Sequence, residues 1–237
     1  MRTAEIKKGK GIEDLFKGFT PVKPEEEKDI EVAEGRFQGL MEKYERYLDL
    51  EYSPKNDLWP ELNEITDILT PADINTFLQL TIQHEQHKKY CVRTGRVILK
   101  LIQNSYDAGH NNFTFDTTAL KEIDDFGSDL EGTEERPIEI TITGNTGDWC
   151  GCLSKHLTYK ITGNTGEGCG RESKNSTFEI SGNTGEGCGK YSTFSTFKTS
   201  NRKTLEKMLE DKSRNRIIFI HPDGREQVIK DFHNSWG

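Results

Sequence analysis

Gly144-Asn145-Thr146-Gly147 returns as Gly163-Asn164-Thr165-Gly166 and again as Gly182-Asn183-Thr184-Gly185. The unit is about nineteen residues long, a period typical of solenoids and arrays. Each copy is followed by an acid (Asp148, Glu167, Glu186) and then by a Cys-Gly pair at Cys150, Cys169 and Cys188.

Before each Gly-Asn-Thr-Gly lies a short alternating segment: 138–142, 157–161, 176–180 and a worn fourth copy, 195–199. Alternation with period two marks a half-buried strand. One face carries Ile140, Tyr159, Phe178 and Phe197 beside Ile142, Ile161, Ile180 and Thr199, and the other carries Thr141, Lys160, Glu179 and Lys198. A hairpin meander would run neighbouring copies antiparallel, whereas identical copies at fixed spacing are better explained by parallel stacking, one copy per turn. Like residues then lie above like, about 4.8 Å apart. In that register the column Lys160-Glu179-Lys198 places opposite charges on adjacent strands. The glycines Gly144, Gly147, Gly163, Gly166, Gly182 and Gly185 are read as turn residues that supply φ > 0 corners, with asparagines bonding along the stack.

Gly-Asn-Thr-Gly-Asp-Trp-Cys-Gly at this spacing resembles the glycine-rich β-helix that forms the C-terminal domain of the large chain of glutamate synthase, a repeat type also found in formylmethanofuran dehydrogenase. The resemblance covers about sixty residues, 138–200, and implies architecture: in that family the β-helix mainly serves as a scaffold between active domains. Lys155-His156 and Asn175-Ser176 stand where the family usually has a second glycine pair.

The composition sets bounds. In 237 residues, 32% are apolar and 30% charged, which reads as a highly solvated protein with thin cores. No apolar run approaches a membrane span and residues 1–20 lack the apolar segment of a signal peptide, so a cytoplasmic location is expected. Residues 1–137 hold 18 basic and 28 acidic side chains, and that acidity argues against general nucleic-acid binding. Five cysteines, an odd number in a chain expected inside the cell, read as reduced thiols.

Outside the repeat, residues 1–23 read as a mobile N-terminus and 24–106 as a helical domain. A first helix runs from Pro24 to about Leu50, with Phe37, Leu40, Met41, Tyr44 and Leu48 at three- and four-residue steps. A short helix is expected near 58–69. Thr70-Pro71-Ala72-Asp73 starts another that extends to about Tyr106, bent at Gly95. Residues 107–137, rich in acids, Asn and Gly, read as a linker with a short helix near 117–123. Asn201 caps a further helix, and two apolar runs around His221-Pro222-Asp223-Gly224-Arg225 read as a hairpin at the trailing end, within 201–237. The expected fold is α+β: a helical unit, a short right-handed parallel β-solenoid of about three turns over 138–200, and a helix-and-hairpin cap.

Three groups could carry chemistry. Stacked in register, Cys150, Cys169 and Cys188, with Cys152 nearby, form a row of thiols suited to zinc, copper(I) or an iron–sulfur cluster. A ladder presents ligands side by side where a tetrahedral site wants them convergent, and cysteine is a readily buried core filler, which is the preferred reading. His84, His87 and Cys91 would share one side of a helix as zinc ligands, against a plain packing face. The acids Asp148, Glu167 and Glu186 form a column of stacked carboxylates that repel one another and could bind a hard cation such as calcium, against a solvated corner beside the glycine turns. No Ser-His-Asp or Cys-His nucleophile arrangement is visible. The leading expectation is therefore a non-catalytic structural or interaction protein with a protein partner and no cofactor. The rival is a metal- or redox-linked accessory protein of a larger oxidoreductase that uses the cysteine column.

Overall fold

The computed structural model describes residues 24–51, 59–210 and 213–231. The segments expected to be mobile (1–23), the interruption at 52–54 and the end of the hairpin at Phe232 lie outside them. The chain divides into two compact units, with the boundary in the sequence between Arg36 and Phe37. In the first, the described part is the start of helix α1 (Pro24–Asp49). The second holds the remainder of α1 and everything after it.

In the second unit α1 presents Phe37, Leu40, Tyr44 and Leu48 to the core, at the steps the sequence indicated. A short α2 (Trp59–Asn63) follows, and then α3 (Pro71–Leu80), whose N-cap Thr70 accepts a hydrogen bond from the Asp73 amide at 3.3 Å. The chain does not continue as one bent helix to Tyr106. A 3₁₀ turn (Thr81–His84) and a loop interrupt it, and α4 (Tyr90–Asp107) starts afresh. The Thr81 hydroxyl meets the Tyr90 hydroxyl at 3.0 Å across this break, which lets α3 and α4 pack together. Gly95 is therefore not a hinge: it lies inside α4, where an added Cβ would come 1.8 Å from the Asp124 carbonyl oxygen. Its smallness brings the helix onto the solenoid.

Arg93 of α4 is almost wholly buried, and its guanidinium donates to the carbonyls of Tyr47, Leu48 (2.6 Å) and Leu50 (2.6 Å). Those are carbonyls at the end of α1, which have no intrahelical partner, so one cation caps the helix.

Among the described residues seven strands form one sheet in chain order: β1 (Asn112–Asp116), β2 (Ile138–Thr143), β3 (Leu157–Ile161), β4 (Thr177–Ile180), β5 (Thr193–Thr199), β6 (Arg214–Ile220) and β7 (Glu226–Lys230). All neighbours are parallel except β6 and β7, which form the expected hairpin. The predicted register holds. Phe113, Ile140, Tyr159, Phe178, Phe197 and Ile217 form one inner file, and Lys160, Glu179 and Lys198 one outer file. The rings of Tyr159, Phe178 and Phe197 stack with centroids 5.1 Å apart and planes within 8°. Asn145, Asn164 and Asn183 form the expected polar ladder, the Oδ1 of Asn145 and of Asn164 each accepting the next asparagine's amide at 2.8 Å.

The solenoid is about four turns long, one more than expected, because it begins earlier. The stretch 107–137 is not a linker: it holds β1 and the first turn, and 117–123 is not helical. Helices pack against the β1 edge and against the last Gly-Asn-Thr-Gly corner of the stack. Asn75 of α3 accepts the Asp116 amide (3.1 Å) and Gln79 donates to the Asp116 carbonyl (2.7 Å), so α3 seals the β1 edge. Helix α5 (Arg202–Leu209), N-capped by Asn201 Oδ1, lies over the last Gly-Asn-Thr-Gly corner, with Thr204 Oγ1 donating to Gly182 and Lys207 Nζ to Thr184 carbonyls.

Candidate functional site

Four passes of chain follow the same path opposite the sheet: 123–132, 147–156, 166–175 and 185–194. They are joined by amide-to-carbonyl bonds such as Asp125 to Asp148 (2.8 Å), Trp149 to Glu167 (2.7 Å) and Gly168 to Glu186 (2.8 Å). The first pass shares only Asp124 and Gly127 with the repeat at matching places, which hid it in the sequence. Along each pass the backbone is left-handed at alternate residues. One file is Asp125, Trp149, Gly168 and Gly187; the next Gly127, Gly151, Gly170 and Gly189; the third Asp129, Leu153, Glu172 and Tyr191.

The turn glycines named from the sequence do a different job. Of those six, Gly144 alone has a positive φ (113°). The others are small because the neighbouring turn comes close. A Cβ on Gly166 would lie 2.1 Å from Asp148 Oδ1, and one on Gly163 or Gly182 would lie 2.3 Å from the carbonyl oxygen one turn back. The acid column is explained by the same contacts. Asp124 Oδ1 accepts the Asp148 amide (2.9 Å), Asp148 Oδ1 accepts the Glu167 amide (2.7 Å), and Glu186 meets Lys207 at 3.3 Å. The carboxylates of Asp124 and Asp148 each tie their turn to the next, and that of Glu186 reaches α5. They do not converge on a cation.

The thiols Cys150, Cys169 and Cys188 neighbour one another in a file and are buried in the core. A hydrogen bond to Cys169, and then burial, hold the Cys150 thiol well above its ordinary pKa. The bond from Cys150 lowers that of Cys169, but its own bond to Cys188 and burial outweigh this, and it too lies well above the ordinary value. With no metal beside them, such thiols keep their protons at neutral pH. Cys152 is separate from the column. It lies in the file with Arg171, and burial, with Glu172 second to it, raises its pKa to about 11.

The helical cluster does not assemble either. His84 Nε2 lies 3.3 Å from Glu45 Oε1, His87 Nε2 lies 3.6 Å from Asp49 Oδ1, and Cys91 stands beyond the helix break, with its pKa raised by burial and then by Asp124. Among the described residues no three His, Cys, Asp or Glu side chains are placed to hold a metal ion.

What stands out lies on the outer surface of the passes. Trp149 (38% exposed), Leu153 (48%) and Tyr191 (57%) are large apolar residues at φ of 63°, 60° and 63°. Left-handed backbone costs a side chain with a Cβ about 1–2 kcal/mol, and the same files hold glycine or a polar residue on other turns. The Trp149 ring lies over Gly168, where a Cβ would meet it at 2.5 Å. The Arg171 guanidinium sits between the rings, 5.5 Å from Trp149 and 5.0 Å from Tyr191, with Nε donating to Glu172 (3.1 Å). Sequence reasoning passed over these residues because they are the places where the repeat is broken. Round the corner a groove of about 380 Å³ is lined by Glu134, His156, Thr158, Asn175, Thr177 and Phe194, among others.

Comparisons with family models, with curated proteins and with solved structures found no match. Among the described residues no helix is long and apolar enough to cross a membrane.

Proposed function

We propose that this is a non-catalytic interaction protein whose helices and β-solenoid present the Trp149–Leu153–Arg171–Tyr191 surface to a protein partner. One observation carries the reading: large apolar side chains stand in solvent on left-handed backbone where the repeat elsewhere uses Gly168, Gly187 or Glu172. Backbone strain of this kind persists where the side chain serves a purpose the fold itself does not need. Trp, Tyr and Arg are also the residue types that dominate binding energy at protein interfaces. A scaffolding role agrees with what the glutamate synthase-like repeat implies. The acidic composition (net charge −8) fits a partner other than nucleic acid. A metal- or redox-linked role for the cysteine column lacks a comparable observation: its thiols lie in a buried file, and among the described residues no three His, Cys, Asp or Glu side chains are placed to hold a metal ion.

The test uses affinity capture with the wild-type chain and with a Trp149→Gly/Leu153→Gly/Tyr191→Asn variant, melting temperature being followed in parallel. A partner retained by the wild type and lost by a variant that melts within a few degrees of it supports the reading. Equal capture by both sinks it.

A further inference from the structure

The two edges of the sheet are treated differently. The β1 edge is sealed by Asn75 and Gln79 of α3. At the other end β7 is the outermost strand, and among the described residues no strand pairs with its outer side. Glu226, Gln227, Val228 and Ile229 are all exposed, Val228 by 45% and Ile229 by 38%. Exposed β-branched residues on an edge strand are a template for further pairing.

The order of residues says which partner fits. Glu226-Gln227-Val228-Ile229-Lys230 carries an acid at one end, a base at the other and valine at its centre. Laid antiparallel against a copy of itself about Val228, it brings Glu226 towards the other copy's Lys230 at each end and valine to valine at the centre, with Ile229 the extra residue where the register against β6 shifts. A parallel arrangement would set like charges opposite each other, so the charges choose the orientation. Both are anchored within the protomer: Lys198 Nζ donates to Glu226 Oε1 at 2.7 Å, and Lys230 Nζ donates to the Ser213 carbonyl at 2.8 Å. They therefore stand at the two ends of the strand.

We propose that β7 is a self-association surface through which two copies of the chain join antiparallel across a two-fold axis at Val228, continuing one sheet into the other. Two-fold contacts are self-complementary by construction, which is what this strand offers. A seam this short lies at the small end of specific interfaces, so the dimer is weak and concentration-dependent. The surface is separate from the Trp149 face and does not depend on its role.

Sedimentation equilibrium of the full chain over a wide concentration range tests the proposal, with three variants. Val228→Lys puts two ammonium groups together at the axis, on a position exposed enough to accept lysine. Glu226→Lys and Lys230→Glu each replace both attractions by repulsions. Each should weaken dimerisation about tenfold or more. An equimolar mixture of Glu226→Lys and Lys230→Glu should recover a heterodimer, because each protomer then offers what the other lacks. A folding defect would not be rescued by mixing. A wild-type chain that stays monomeric at every concentration overturns the proposal, as do single reversals that dimerise like the wild type or a mixture that shows no recovery.

Discussion

The cysteine file and the tryptophan–tyrosine face come from the same four passes of chain, yet one is hidden and the other displayed. The hidden file repeats its residue: Cys150, Cys169 and Cys188 follow one another down the core. The displayed face repeats nothing: Trp149 is followed by Gly168 and Gly187, and Leu153 by Glu172 and Tyr191. What recurs in a solenoid is what every turn needs in order to stack. What fails to recur is free of that duty, and here it is held outward at a cost in backbone strain. Regularity therefore marks architecture, and departures from it mark the candidates for function.

The comparison can be broken first at its structural side. Gly170→Ala should give the largest loss, about 3 kcal/mol in urea unfolding, because the new methyl would sit at φ 66° and meet the Phe178 and Phe197 rings at 2.8–3.0 Å. Cys169→Ser should cost about 2 kcal/mol by the same measurement, since it puts a hydroxyl, costlier to bury than a thiol, at a position with no solvent exposure. If serine were neutral there, the thiol file would not be core packing.

The pH dependence comes next in size. Cys150 and Cys169 have pKa values raised by folding above the ordinary thiol value of 9.0. The folded state thus keeps protons that the unfolded chain releases, and stability is full below that value and falls as pH rises beyond it. The slope should approach about 1.4 kcal/mol per pH unit for each such thiol. Denaturation profiles for the wild type and for Cys150→Ala/Cys169→Ala should diverge only on the alkaline side. Parallel profiles would count against buried, protonated thiols.

At the displayed face the expected change in stability is smallest. Tyr191→Asn should alter it by less than about 0.5 kcal/mol, because asparagine accepts the left-handed backbone and the lost ring is 57% exposed. A loss above about 2 kcal/mol would show that this residue, too, belongs to the architecture. A chelator should leave the melting temperature unchanged, whereas a clear drop would return the thiols to metal chemistry.

Much of the fold is legible in the amino-acid order. Fixed spacing and period-two alternation specify that Tyr159 lies over Phe178 and Phe197, that Lys160 faces Glu179, and that the asparagines line up, because parallel stacking of equal units leaves no other register. The helix starts at Thr70 and Asn201 were equally plain, since a cap is local chemistry. The first turn was not legible. Its step from Phe113 to Ile140 is longer than the repeat, and its pass preserves little more than Asp124 and Gly127.

The amino-acid order by itself determined which residues share a file, because a repeated spacing transmits register from one turn to the next. Only the tertiary structure decided which files turn inward, why a given glycine is small, and where the helix after Thr70 breaks. Those outcomes depend on what the neighbouring turn or helix places alongside: the Asp148 carboxylate against Gly166, the Asp124 carbonyl against Gly95, and the Tyr90 hydroxyl against Thr81. Contacts of that kind are made between residues that no local pattern connects.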